Sequence, residues 1–315
     1  AIHSRSKEIE QHIIKNWNDA SDSKQYGRLV NMVAQYGAAT NQKNVTIPKP
    51  CMIIASADHG VADMGVSAYP KETTVGMTQN YLIPKGAGAN SLANYCGAHM
   101  EVIDMGIDAD MSWVPGLRSH KLGMGTKNFV EEPAMTREQA IEGIETGIKL
   151  IQEKMADGYN VFLVGEMGIS NTTASALMTA KFAGLTAEEA TGRGTNISDE
   201  RLKLKQRIVH DVLVKYKDIP KDDAIGILAA VGGFEFTCIV GVILGAAAHH
   251  GMVIIDGFNT SACALVAKTL VPASMDYVMA SHLSAEKAAK SSLQNLGLEA
   301  YVDLGLCLGE ASGGS

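Results

Sequence analysis

Two glycine-rich segments carry the residue types that hold a phosphorylated ligand. In the first, Gly165-Glu166-Met167-Gly168-Ile169-Ser170-Asn171-Thr172-Thr173, an apolar run gives way to a small-residue helical pattern. Backbone amides and hydroxyls are thereby offered at a helix N-terminus, a setting that suits a phosphate or a ribose. The same residues also fit a tight turn in which Asn171 or Thr172 caps the helix. The second segment is Gly192-Arg193-Gly194-Thr195-Asn196, with Lys205 one to two helical turns beyond a Ser198-Asp199 cap signal. A lysine so placed can meet an anion or lie on a solvated helix face.

Asp58-His59-Gly60, followed by Asp63 and by Gly65-Val66-Ser67-Ala68-Tyr69-Pro70, brings imidazole and carboxylates together, but the spacing matches no standard zinc pattern. Asp58 and His59 are expected to hold their loop through buried hydrogen bonds, and no metal site is expected. His249-His250 reads as a helix C-terminus. Leu308-Gly309-Glu310-Ala311-Ser312-Gly313 puts a single carboxylate in a small-residue loop, where a glutamate is ordinarily just solvated. No GxGxxG opens the first βα unit and no GxxxxGK[ST] occurs, which removes the usual dinucleotide and P-loop readings. An acidic pair of the kind that holds magnesium pyrophosphate is also missing from the strand ends, so a nucleotide-like donor needs no metal and no cofactor is expected.

These residues need elements to position them. Short apolar runs at 51–56, 102–103, 161–164, 225–231, 252–255 and 277–280 each end in a glycine, acid, serine or histidine. Runs of this length are too short for helices and read as strands; they alternate with longer helical patterns at 137–155 and 199–216. The expected fold class is therefore α/β, with βα units around a parallel sheet and the site beyond the carboxyl ends of the strands. Residues 225–258 are apolar enough to raise a membrane span, but Glu235, His249, His250 and Asp256 interrupt them, so a buried helix followed by a buried strand is expected. The ends differ: 8–36 is helical and charged with a break at Ser21-Asp22-Ser23, and 284–296 is helical again.

The chain has 315 residues, 46% of them hydrophobic, enough for one large core and a smaller subdomain. A net charge of −7 with scattered basic residues argues against a nucleic-acid groove or an anionic membrane surface. Cys51, Cys96, Cys238, Cys263 and Cys307 form no CxxC pair and read as thiols in a reducing compartment. Residues 1–11 show no export signal, and a cytoplasmic location is expected.

Taken in order, these segments resemble the nicotinate-nucleotide dimethylbenzimidazole phosphoribosyltransferases of the cobamide lower-ligand pathway. The resemblance runs over nearly the whole chain: Ala57-Asp58-His59-Gly60-Val61, the Gly65 to Pro70 stretch, Gly125-Thr126-Lys127-Asn128-Phe129, the two glycine-rich segments, the stretch 231–235, Asp256-Gly257-Phe258, the stretch 281–286 and Leu308-Gly309-Glu310. It implies a Rossmann-like large domain, residues 41–283, with a small helical domain from both chain ends, 1–40 and 284–315. It further implies transfer of a phosphoribosyl group from nicotinate mononucleotide to an aromatic base. Glu310 would be the general base and Glu166 the second catalytic carboxylate. Gly168, Asn171, Thr172, Gly192, Gly194, Lys205 and Ser281 would hold the nucleotide, and Tyr69, Met77 and Leu308 the acceptor. The family works as dimers.

The chain departs from the family pattern around Gly27-Arg28-Leu29, where residues 22–26 replace the usual stretch, at Lys287-Ala288 in place of Pro-Gly, and at Ala311 in place of a glycine. A methyl group at Ala288 or Ala311 would narrow the site or shift the loop carrying Glu310. The acceptor is thus left open among benzimidazoles, purines and phenols, and the dimer is left open between two copies and a pair with a related chain that this one needs for activity. An unrelated nucleotide-binding α/β protein is the remaining alternative.

Overall fold

The structure, a computed structural model, describes residues 1–20, 23–194, 196–306 and 308–315. Ser21, Asp22, Thr195 and Cys307, named above, lie outside the described residues. Among the described residues six strands form one sheet: β1 (Pro50–Ala57), β2 (His99–Gly106), β3 (Arg118–Ser119), β4 (Val161–Met167), β5 (Met252–Ile255) and β6 (Val278–Ala280). Every pairing is parallel and the order is β3-β2-β1-β4-β5-β6. That is the Rossmann order, and it reverses direction between β1 and β4. β1 is buried on both faces, which is why it reads as an unbroken apolar run without alternation.

The helices follow as α1 (Lys7–Ala20), α2 (Arg28–Ala39), α3 (Thr73–Leu82), α4 (Gly88–Cys96), α5 (Arg137–Ala156), α6 (Asn171–Ala183), α7 (Ala187–Ala190), α8 (Asp199–Lys215), α9 (Ala224–Val231), α10 (Phe234–Ala248), α11 (Phe258–Leu270) and α12 (Ala289–Leu296). α10 is apolar all round and buried, and β5 follows it, as expected for the 225–258 region. None of the helices among the described residues is long and apolar enough to cross a membrane. Glycines let α5 approach α10 closely: a Cβ at Gly147 would sit on the Cys238 carbonyl oxygen, and one at Gly241 on that of Ile144.

Two expectations need correction. Residues 225–231 are not a strand but most of α9, started by Asp223, whose carboxylate accepts from Gly226 N at 2.9 Å, and stopped at Gly232. A fully buried helix is apolar on all sides, so it lacks the period that would separate it from a strand. The C-terminal helix begins at Ala289, not at 284, because Glu286 is drawn away to accept a hydrogen bond from Gly194 N at 2.8 Å.

At the chain ends, α1 and α2 pack through Ile9, Ile13, Ala34 and Ala38. α12 packs on α11 and α6. The two ends meet where the Arg28 guanidinium donates to Ala300 O at 2.9 Å and lies 4.6 Å from the Tyr301 ring centre.

Candidate active site

The switch between β1 and β4 opens a crevice at the carboxyl ends of these strands, and β4 delivers Glu166 into it. The chain then turns through Ser170, whose φ of 77° is left-handed, into α6. No side chain caps α6, so the capping role open to Asn171 and Thr172 is not taken. Asn171 instead turns back and donates to Glu166 Oε2 at 2.6 Å. Burial pushes the Glu166 carboxyl up to about 8; the amides of Asn171 and Asn259 oppose this, and the charges of Glu235 and Asp256 add to it. The Glu166 carboxyl thus lies well above the ordinary carboxylate range.

Glu310 reaches the same crevice from the far end of the chain. Gly309, Glu310 and Ala311 all have positive φ, 82°, 62° and 62°, a run that only glycine adopts freely. A Cβ on Gly309 would lie 3.2 Å from Glu166 Oε1, so the two acidic segments touch there. Glu310 is buried, which raises its pKa; the Tyr81 hydroxyl favours the charged form and Asp256 disfavours it. That hydroxyl is itself buried and meets no partner at hydrogen-bond geometry.

Lys205 is 2% exposed, not on a solvated face. Its Nζ donates to Thr172 Oγ1 at 2.8 Å and to Gly192 O at 3.4 Å. Burial brings it down to about 8, against the opposing charge of Glu286. The hydrogen-bond partners of this buried ammonium are neutral, but the neighbouring Gly194 amide is held by Glu286 Oε1, so an anion seated between Lys205 and the start of α6 takes the place of that carboxylate.

Glu166, Gly168, Asn171, Thr172, Gly194, Leu308 and Glu310 line one cavity of about 150 Å³. Gly192 and Lys205 stand behind it through Thr172. Ser281 lies outside the lining, donating to Ile255 O at 2.8 Å and Asp256 O at 3.0 Å. Tyr69 and Met77 are also outside it: Tyr69 is 56% exposed in the loop after β1, and Met77 packs from α3 beside Tyr81. Asp58 and His59 hold their loop as expected, Asp58 Oδ2 accepting from Asp108 N at 2.8 Å and His59 Nε2 lying 2.6 Å from Glu235 Oε1. Among the described residues no group of three or more His, Cys, Asp or Glu is placed to share a metal ion.

Sequence reading did not assign Asn259, Glu286, His282 or Tyr81 to the site. Asn259 had a usable signal, since it follows Gly257 where β5 passes into α11. Tyr81 had none, because it reads as one more apolar residue on a helix.

A Rossmann-order sheet with paired acids, a buried lysine and glycine-rich turns at its switch point has the build of a ligand-binding α/β enzyme. A family model described as phosphoribosyltransferase matches residues 2–315, and the chain belongs to that family. It is 42% identical to the nicotinate-nucleotide dimethylbenzimidazole phosphoribosyltransferase of Chloroflexus aggregans over 287 residues, 91% of this chain and 81% of the relative. It is 43% identical to the Geobacter metallireducens enzyme of the same name, with the same coverage. The crystal structure of the Thermus thermophilus enzyme superposes with a TM-score of 0.90 at 32% identity, covering 98% of this chain and 91% of that one.

Proposed function

We propose that the chain moves a phosphoribosyl group from nicotinate mononucleotide to an aromatic base, releasing nicotinate and leaving an α-ribotide for cobamide synthesis. The observation that carries this reading is the shared cavity, in which Glu166 and Glu310 stand beside the Thr172 and Gly194 end backed by Lys205. In the donor, C1′ is bonded to a cationic pyridinium nitrogen. The bonding pair returns to that nitrogen as the bond breaks, so the ring leaves without an acid. The acceptor forms its new bond to C1′ from the opposite face, and its proton passes to the Glu310 carboxylate.

In this reading Glu166 faces the ribosyl centre and stabilises its positive charge once ionised. Thr172, Gly192, Gly194 and Lys205 take the phosphate. Gly168, Asn171 and Ser281 support the nucleotide, and Tyr69, Met77 and Leu308 border the acceptor. Tyr69 and Leu308 are more than half exposed, which supports a second chain, a copy or a relative, closing that side. The buried thiols of Cys51 and Cys238, both pushed up to about 12 by burial, suit an enzyme of the reducing cytoplasm.

Mass spectrometry of the purified chain with nicotinate mononucleotide and a panel of benzimidazoles, purines and phenols tests this. A ribosylated acceptor with release of nicotinate supports the reading and names the acceptor class. A folded chain that binds the nucleotide but yields product only with a related partner chain supports the paired form, and one that yields none in either case overturns the proposal.

A further inference from the structure

Glu235 is an isolated acid at the start of α10, a helix otherwise apolar from end to end, and its side chain is fully buried. A buried carboxylate is costly unless its partners hold it, and an apolar residue there would give a simpler core. Both of its partners bear on Oε1: His59 Nε2 at 2.6 Å and Asn171 Nδ2 at 3.3 Å. The surrounding backbone is shaped to admit the pair. A Cβ at Gly168 would lie 3.1 Å from Glu235 Oε1 and 3.2 Å from His59 Cδ2, and one at Gly233 would lie 2.5 Å from His59 Cε1.

The Asn171 carboxamide thus has one hydrogen for each of two acids, Glu166 at 2.6 Å and Glu235 at 3.3 Å. Its oxygen accepts from Asn259 Nδ2 at 3.0 Å, which fixes the way the amide faces. With the amide locked on both sides, the place of Glu166 Oε2 is set through Asn171, which lines the cavity, by Glu235 and His59, which stand behind it. We propose that Glu235, braced by His59, is a positioning residue for phosphoribosyl transfer, orienting the Glu166 carboxylate through Asn171. This rests on the reading in which Glu166 faces the ribosyl centre.

Steady-state kinetics of Glu235→Leu and Glu235→Gln, each alone and combined with Glu166→Gln, test the link. Glu235→Leu is expected to lower kcat by at least about tenfold, a larger factor than any rise in KM for nicotinate mononucleotide, since the ribosyl centre bears its full positive charge toward Glu166 only in the transition state. Glu235→Gln keeps an acceptor for Asn171 and recovers most of that loss. In the Glu166→Gln background Glu235→Leu is expected to add nothing, because the group it positions is already gone. His59→Leu probes the same link from its far end should the leucine at 235 prevent folding. A loss of the same factor in both backgrounds, or one confined to KM or to melting temperature, overturns the positioning role while the enzyme still makes product. A wild-type enzyme that makes no product sinks the functional reading itself.

Discussion

Gly165 of β4 lies directly beneath the Glu310–Ala311 peptide, so close that a Cβ at 165 would come within 2.6 Å of the Glu310 carbonyl carbon. Glu166 and Glu310 are therefore set by one backbone contact. Gly165→Ala is expected to lift the Glu310 loop and lower kcat by about 10- to 100-fold, as for displacements near 1 Å. Overpacking should cost the fold about 1–3 kcal/mol, read in a denaturant titration. Wild-type turnover in this variant would mean that the loop adjusts freely.

Glu310→Gln is expected to reduce kcat by about 10²- to 10⁴-fold while leaving donor binding unchanged, since a general base acts only as the acceptor loses its proton. Burial raises the Glu310 pKa, so the rate should climb with pH along a limb displaced above the ordinary carboxylate range. Tyr81 favours the charged form, and Tyr81→Phe is expected to move that limb further up. A limb that stays in place in Tyr81→Phe would remove the tyrosine from this role.

Donor binding should carry a proton signature that changes sign with pH. With Glu166 at about 8, the cationic pyridinium ring of the bound donor ionises it, releasing up to roughly one proton near pH 7. With Lys205 also at about 8, a phosphate draws up to roughly one proton onto it near pH 9. Calorimetry in buffers of different ionisation enthalpy reads both. Glu166→Gln should abolish the release, and Lys205→Met the uptake.

Glu166 also sets a stability trend of known sign. Its folded pKa, about 8, exceeds the ordinary glutamate value of 4.5, so the folded state binds more protons between these limits. Its contribution is fully present below about pH 4.5 and is lost as pH rises through about 8. Glu166→Gln should therefore match the wild type at pH 4 and exceed it at pH 9 by on the order of a few kcal/mol, measured by thermal or urea unfolding. Equal stability at both pH values would place the Glu166 pKa near its ordinary position.

β1 and β4 were legible because a strand buried on both faces keeps its apolar run intact; β3, two polar residues at the sheet edge, has no such run and was not read. α9 was not, since burial on all sides erases the period of a helix, and the start of α12 was not, since it is decided by the distant Gly194 amide. In the site, the segment 165–173 could be read because strand end, glycine turn and helix start are consecutive. Glu310 was visible only through family resemblance; by itself it looks like a solvated side chain. The burial of Lys205 was hidden inside a charged helix, and Asn259 and Tyr81 acquire their places only through contacts made across the sheet.

The contact between Gly165 and the 310–311 peptide also bears on how the enzyme comes into being. The segment around Glu310 leaves the ribosome after β4, β5 and β6, and it can seat only on a sheet whose central strands are already paired. Such long-range closure is slow compared with local helix formation. The cavity, lined by residues from 166 to 310, is therefore completed only by the last segment to emerge, and turnover is expected to return during refolding after the sheet has formed.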